Sequence, residues 1–232
     1  MVDAAGAAKR VTAMLEGARP GQVVTFGAEM AMHARRDARY RDVVNAADLV
    51  LADSAGIVWA SRVLGRPLRG RVTGIDFAER LCTLIGYPVY LLGARPGIAE
   101  RAAAALRSRH PNLAIAGTHH GFFGDDEGPA VAAAIRQCGA RIVFVALGFP
   151  RQEFFIHDRL GEIGPAVCMG VGGAFDVWAG VATRAPAAWR GLGLEWLYRL
   201  IREPARLRRQ LALPAFAFAV AGQRLRGASS AR

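Results

Sequence analysis

The residues of this sequence that are suited to chemistry follow short apolar, β-branched runs. Thr25 lies near the end of QVVTFGA, Asp53 closes ADLVLAD, and the turn GARPG at 93–97 follows VYLL. A carboxylate can take a proton, and glycine-rich turns expose backbone amides that bind phosphate oxygens. Further residues of these types follow later apolar runs at Gly148, Gly172, Gly173 and Asp176. The residue types are therefore those of proton transfer and of phosphate binding.

Asp53 has two interpretations from its position alone. At the ligand-binding edge of a parallel sheet, a partly desolvated carboxylate suits a general base. A carboxylate just before a helix can instead act as the N-cap and accept hydrogen bonds from the free amides of the first turn. The spacing by itself favours the N-cap.

The turn Gly93-Ala94-Arg95-Pro96-Gly97 precedes an alanine-rich segment, 97–109, with helical character. The free amides and the dipole of a helix N-terminus favour phosphate, although an ordinary tight turn explains the glycines equally well. The turn lacks the G-x-G-x-x-G pattern of dinucleotide sites and the acidic residue about 20 positions later. Gly172 and Gly173 support phosphate binding, because two glycine-bearing strand ends can flank one diphosphate.

These segments alternate with helical patterns along most of the 232 residues, one of them predicted at 28–46. Buried apolar strands that alternate with helices predict an α/β fold with a mostly parallel, Rossmann-like sheet and helices on both faces. Ligands bind such sheets beyond the carboxyl ends of the strands. A composition of 53% hydrophobic and 21% charged residues argues against disorder.

The rest of the composition indicates a reducing compartment. We find no apolar run long enough to span a membrane and no signal peptide within the first twenty residues. Cys82, Cys138 and Cys168 are odd in number and have apolar neighbours, so we predict buried thiols and a cytoplasmic protein. The acidic run 125–127 precedes a helix, where it would stabilise the N-terminus, so we predict neither a metal nor a cofactor.

The formal charge of +11 is concentrated near the C-terminus. From Arg184 onward there are ten arginines and two glutamates, a net +8. The apolar run LALPAFAFAVA lies beside these arginines; it is too short to span a bilayer and long enough to lie in its interface. Pro204 and Pro214 are expected to break this part of the chain into short helices. We therefore predict an α/β core at 1–194 and a helical, membrane-associating appendage at 195–232. The arginines could instead bind nucleic acid or hold an anionic ligand; the apolar run argues against nucleic acid.

Eight segments in this order resemble the WecG/TagA/CpsF glycosyltransferases, glycosyltransferase family 26, over about residues 20–210. They are VVTFGAEM, ADLVLADSAGIVWASRVLG, RVTGIDF, VYLLGARPG, GTHHGFF, GFPRQEFF, GVGGAFDVWAG and RAPAAWRGLGLEWLYRLIREPARL. The resemblance implies metal-independent, inverting transfer of a sugar from a UDP-sugar to a polyprenyl-diphosphate-linked saccharide. It places the protein on the inner face of the cell membrane, against an anionic surface and without nucleic acid, and implies self-association away from the membrane.

The resemblance also assigns roles to residues. Asp53 matches the proposed general base, and Thr25 and Arg71 match positions that line the same pocket. The substrate-binding residues that we expect, from the resemblance and from the glycine-bearing strand ends together, are Gly93, Arg95, Gly148, Gln152, Gly172, Gly173, Asp176, Arg202, Arg206, Arg208 and Arg209. The four tail arginines would stabilise the departing UDP, whose negative charge needs a partner where no metal is bound.

Two segments depart from the family pattern. The family commonly has T-x-N-x-E after the first strand, where this chain has Thr25-Phe26-Gly27-Ala28-Glu29. It commonly has D-G-x-G-V where this chain has Asp53-Ser54-Ala55-Gly56-Ile57. Donors based on N-acetylmannosamine, on its uronic acid and on glucose therefore all stay open. The alternatives from other classes are a nicotinamide-dependent oxidoreductase and a basic module that binds membranes or nucleic acid.

Overall fold

The structure is a computed structural model that describes residues 3–202, 204 and 207–229. The side chains of 199, 208, 209 and 227–229 lie outside this description. The strands are β1 (Gly21–Phe26), β2 (Leu49–Ala52), β3 (Val89–Gly93), β4 (Ile115–His119), β5 (Ile142–Ala146) and β6 (Val167–Gly170). The helices are α1 (Ala4–Glu16), α2 (Ala28–Ala34), α3 (Ala38–Ala46), α4 (Ala55–Val63), α5 (Gly74–Leu81), α6 (Ile98–Arg109), α7 (Gly128–Gln137), α8 (Arg151–Ile163), α9 (Ala174–Trp178), α10 (Ala187–Gly191), α11 (Glu195–Arg202), α12 (Leu207–Gln210) and α13 (Ala212–Ser229).

The described strands form one six-stranded sheet in the order β2-β1-β6-β5-β3-β4. Each pair of neighbouring strands is parallel, which confirms the predicted α/β, Rossmann-like class. Because all the strands point the same way, their carboxyl ends share one edge of the sheet. Thr25, Asp53 and the glycine-rich turns after β3, β5 and β6 therefore lie along that edge.

Helices cover both faces of the sheet. Side chains alternate along each strand, so each strand contributes to the core on either face. Leu91 and Phe144 point into a core shared with α1, α5, α6 and α9. Leu92 and Val145 point the other way, toward α7 and α8. The strands are consequently apolar on both faces, which is why they are nearly continuous hydrophobic runs in the sequence.

The C-terminal helices pack on the edge of this core. Phe216 and Val220 of α13 are buried against Ala28 of α2 and Ala60 of α4. Among the described residues, no helix is both long enough and apolar enough to cross a membrane. Whether residues 195–232 form a separate membrane-associating appendage stays a prediction.

Some local predictions were wrong. Residues 28–46 form two helices, α2 and α3, since Asp37 interrupts the run and caps α3 by accepting from the Tyr40 amide. Pro214 does not break the last helix, because it lies in the first turn of α13, where no intrahelical amide donor is required. Cys138 is exposed, whereas Cys82 and Cys168 are buried as predicted.

Candidate active site

A first cleft of about 400 Å³ opens at the carboxyl ends of β1 and β2. Its walls come from the starts of α4 and α5 and from the C-terminal helices α11, α12 and α13. The polar residues along it include Thr25, Glu29, Asp53, Arg71, Glu195 and Gln210. The three residues expected to be catalytic, Thr25, Asp53 and Arg71, thus share one cleft.

Asp53 is held at the mouth of this cleft by its own backbone and by α5. Its amide donates to the carbonyl of Phe26, at 3.0 Å, which continues the pairing between β1 and β2. Its Oδ1 accepts from the Gly74 amide at 2.8 Å, the first residue of α5. The N-cap of α4 is Ser54, whose hydroxyl oxygen accepts from the Ile57 amide, so the N-cap interpretation of Asp53 is wrong. The carboxylate instead meets the N-terminus of a helix distant in sequence, which favours its negative charge.

Thr25 contacts both Gly74, whose amide donates to Asp53, and Gly170 at the end of β6. Its hydroxyl donates to the carbonyl of Gly170 at 3.0 Å. Its methyl packs so closely on Gly74 that a Cβ built there would lie 3.0 Å from Thr25 Cγ2. Glycine at position 74 therefore brings the first turn of α5, and with it Asp53, against Thr25.

Arg71 joins Asp53 to the C-terminal helices. Its Nε donates to the Asp53 carbonyl at 2.6 Å, and its Nη2 donates to Glu195 Oε2 at 2.8 Å. The ion pair is largely buried, with 22% of the Arg71 side chain and 10% of the Glu195 side chain exposed. In the sequence, Glu195 is an acidic residue near several arginines and has no local feature that points to Arg71. A contact across 124 positions leaves no signal in the local pattern.

A second cleft, of about 780 Å³, lies beside the first at the ends of β3, β4, β5 and β6. The predicted binding residues along it are Arg95, Gly148, Gly172, Gly173 and Asp176. Arg95 and Asp176 form an ion pair in its lining, with Nη2 and Oδ1 3.8 Å apart. Gly173 lines both clefts, so the turn after β6 is where the two meet.

Gly93 lies outside both linings and has a packing role. Its φ of 131° is in the region that favours glycine, and a Cβ there would meet the backbone of Ala146 at 2.5 Å. This glycine lets the end of β3 approach β5. The neighbouring Ala94 and Arg95 reach the second cleft in its place.

Arg151, at the start of α8, shapes the second cleft and was not predicted. Its Nη1 donates to the Gly121 carbonyl at 2.8 Å and its Nη2 to the Phe123 carbonyl at 2.5 Å. The guanidinium also lies 4.7 Å from the centre of the Phe123 ring. Arg151 therefore pins the loop after β4 across one side of the cleft.

Of the four tail arginines, only Arg202 has a side chain that the structure describes. Arg202 is exposed at the end of α11 and lines neither cleft. Arg206 lies outside the described residues, and so do the side chains of Arg208 and Arg209 on α12. Their expected contact with a leaving group stays a prediction.

The acidic run 125–127 orders its own loop. Glu127 is the residue before α7, but its side chain makes no cap bond; Oε2 accepts from the Gly124 amide at 2.7 Å. Over the described residues, no group of three or more His, Cys, Asp or Glu side chains is placed to hold a metal ion.

Gln152 and Glu153 lie beneath the point where the clefts meet. Gln152 is 4% exposed and Glu153 is 1% exposed. Burial raises the pKa of the Glu153 carboxyl to about 7. The hydrogen bond that this carboxyl accepts from Gln152 acts in the opposite direction and offsets part of the rise. The nearby Tyr40 hydroxyl has a raised pKa, from burial and from the neighbouring Glu153.

We expect Glu153→Gln to flatten the pH dependence of stability. The folded-state pKa of about 7 lies above the ordinary 4.5, so the folded chain binds this proton more tightly than the unfolded chain. The resulting stability is complete below pH 4.5 and is lost as the pH rises through 7. Urea unfolding between pH 4.5 and 8.5 should show a wild-type loss from this group of about 3 kcal/mol that the variant lacks. The exposed Glu162→Gln on the same helix is the control, and an equal loss in Glu153→Gln would contradict the assignment.

Comparison with known proteins shows which family the chain resembles over nearly its whole length. The chain is 35% identical over 212 residues to the N-acetylglucosaminyldiphosphoundecaprenol N-acetyl-β-D-mannosaminyltransferase of Bacillus spizizenii, covering 90% of this chain and 82% of the relative. The family model described as "Glycosyl transferase WecG/TagA/CpsF family" matches residues 1–230. Each of the eight segments that suggested this family contributes at least one residue to the lining of a cleft. The chain therefore belongs to the WecG/TagA/CpsF family of glycosyltransferases.

Proposed function

We propose that this enzyme transfers a sugar from a UDP-sugar to a polyprenyl-diphosphate-linked saccharide, with inversion and without a metal. The observation that supports this most directly is the meeting of the two clefts at Gly173, with Asp53 and Arg71 on one side and glycine-rich turns on the other. The second cleft, at about 780 Å³, is within the range of small-ligand pockets and suits the UDP-sugar. The first cleft then takes the acceptor. Family membership removes the support for the nicotinamide-dependent alternative.

In this proposal Asp53 takes the proton from the acceptor hydroxyl as that oxygen attacks the anomeric carbon. The carbon–oxygen bond to UDP breaks on the opposite face, so a donor with an α-linked sugar gives a β-linked product. The relative from Bacillus spizizenii is named for transfer of an N-acetyl-β-D-mannosaminyl group, which fits such an inversion. We propose N-acetylmannosamine as the first donor to test and glucose as the second.

The negative charge on the departing UDP needs cationic or dipolar partners. Arg95 lines the second cleft and Arg71 the first, and the glycine-rich turns add backbone amides. The tail arginines 202, 206, 208 and 209 would join them when the chain binds an anionic bilayer at the cytoplasmic face. We propose that these groups replace a metal ion.

We expect UDP to raise the melting temperature of the protein and NAD to leave it unchanged. At a UDP concentration one hundred times its Kd, binding stabilises the folded state by about 2.7 kcal/mol. For a chain of this size, that free energy corresponds to an increase of roughly 5–10 °C. Differential scanning fluorimetry measures the shift, and a shift with NAD alone would contradict the assignment of the second cleft.

The full proposal is tested by turnover. UDP-N-acetylmannosamine, its uronic acid, UDP-N-acetylglucosamine and UDP-glucose are each incubated with a polyprenyl-diphosphate N-acetylglucosamine acceptor, with and without a chelator. We expect one donor to give a β-linked disaccharide product at a rate that the chelator does not change. No transfer from any donor, or transfer that the chelator abolishes, would contradict the proposal.

A further inference from the structure

Two adjacent buried polar side chains occupy the space under the end of β6. Gln152 Nε2 donates to Glu153 Oε1 at 2.7 Å, and Gln152 Oε1 accepts from the Gly172 amide at 3.1 Å. Gly172 lines the second cleft, and the next residue, Gly173, lines both clefts. The Gln152 amide group therefore bonds at one end to a buried carboxyl and at the other to the turn that separates the clefts.

The carboxyl of Glu153 determines which way this amide group points. A glutamine amide has a donating end and an accepting end, whereas a carboxyl oxygen that carries no proton only accepts, as Glu153 Oε1 does from Gln152 Nε2. Rotation of the Gln152 amide by half a turn would set two oxygens against one another at Glu153 and two N–H groups against one another at Gly172. Both mismatches would be buried and costly. An acceptor at position 153 thus selects the rotamer that holds the Gly172 amide.

The side chains of Gln152 and Glu153 also pack against Gly170, the last residue of β6. A Cβ built on Gly170 would lie 2.6 Å from Gln152 Nε2 and 3.1 Å from Glu153 Oε1. The Gly170 carbonyl accepts from the Thr25 hydroxyl at 3.0 Å. The side chains of Gln152, Glu153 and Thr25 therefore all contact the end of β6.

Glu153 is itself firmly held. Its carbonyl accepts from Gln22 Nε2 of β1 at 3.0 Å. Beside it, the buried Tyr40 ring packs edge-on against Phe154, with ring centres 5.8 Å apart. Glu153 lines neither cleft, so any effect on a ligand has to pass through Gln152 and the turn after β6.

We propose that Glu153 is a positioning residue: it orients the Gln152 amide and thereby holds the Gly172–Gly173 turn in the shape that binds the donor. The inference rests on the proposed function for the identity of that donor. It assigns the effect to the donor side, because Gly172 lines the second cleft and not the first. A role limited to fold stability would change the melting temperature without separating donor from acceptor.

The test compares Glu153→Met, which removes the acceptor oxygen at similar length, with Glu153→Gln, which keeps one. We expect Glu153→Met to raise the KM for the UDP-sugar at least about tenfold, the range for a lost hydrogen bond that leaves a buried group unsatisfied. The KM for the lipid-linked acceptor should stay unchanged. Glu153→Gln should bring the donor KM back to within about threefold of wild type. Equal donor KM values in wild type and a folded Glu153→Met would overturn the inference.

A double-mutant cycle separates action through Gln152 from an independent effect. Gln152→Met alone should raise the donor KM by a similar factor, and adding Glu153→Met should raise it no further. Fully additive effects would overturn the inference. If Glu153→Met does not fold, Gln152→Met alone serves as the test. A wild-type donor KM in Gln152→Met would overturn the inference, because the effect of Glu153 has to pass through Gln152. Glu162→Met, exposed on the same helix, is the matched control.

Failure of the inference can be told apart from failure of the proposed function. Wild-type turnover with unchanged kinetics in the variants overturns the inference alone. A wild-type chain that transfers no sugar overturns the proposed function, and the cycle is then measured on the Kd for UDP by calorimetry. A wild-type chain that binds no UDP overturns both.

Discussion

Asp53→Asn is expected to bind UDP with wild-type affinity and to lose at least about a hundredfold in turnover, the usual range for loss of a general base. The asparagine keeps an Oδ1 acceptor for the Gly74 amide, which holds the wild-type carboxylate at 2.8 Å. The fold and the clefts should therefore be preserved, while the group that takes the proton is lost. Measurement of kcat with the preferred donor and of the UDP Kd by calorimetry distinguishes the two effects.

The control for this prediction is Asp42→Asn, a change of the same type on an exposed side chain of α3. It should retain full turnover. If Asp53→Asn turned over at a near-normal rate, Asp53 would not be the base, and the other carboxylates of the first cleft, Glu29 and Glu195, would be examined next. A parallel loss of UDP binding would instead indicate that Asp53 helps to shape the donor side.

The sequence predicted the positions of the clefts because strand ends are local features. An apolar run followed by a glycine or a carboxylate predicts both the strand and the end where ligands bind, as Asp53 and Gly172 illustrate. The predicted N-cap role of Asp53 was wrong for a local reason as well. The neighbouring Ser54 is an equally good cap and lies at the helix start, which leaves the carboxylate to accept from Gly74.

The contacts that assemble the site could not be predicted from the sequence. Arg71 meets Glu195 across 124 positions, and Gln152 meets Gly172 across 20. Such contacts depend on the order of the strands in the sheet, which decides which distant segments become neighbours. The local pattern of a single sequence carries no signal of that order. The burial of Phe216 against α2 and α4 is a similar case, since its apolar run indicates equally a membrane contact or a packed helix.

A chain that ends at Leu194 is expected to fold, to lose binding to anionic vesicles and to be nearly inactive. The two large core clusters on the sheet contain no residue beyond Ala179, so the core should survive. The truncation removes Glu195, Gln210 and Phe216 from the first cleft, and it removes eight arginines and two glutamates. At about 1 kcal/mol for each basic residue near an anionic surface, vesicle affinity should fall at least a hundredfold. Vesicle sedimentation and turnover measure the two losses.

The matched control is the full-length chain with Arg202, Arg206, Arg208 and Arg209 changed to glutamine. It retains the cleft wall, including the pair between Arg71 and Glu195, and removes only positive charge. If these arginines act solely by docking, the variant should be slow on vesicle-bound acceptor and normal on a short-chain, water-soluble one. If they also neutralise the departing UDP, turnover should fall with both acceptors, because the leaving group is the same. Unchanged vesicle binding by the truncated chain would refute membrane association through this segment.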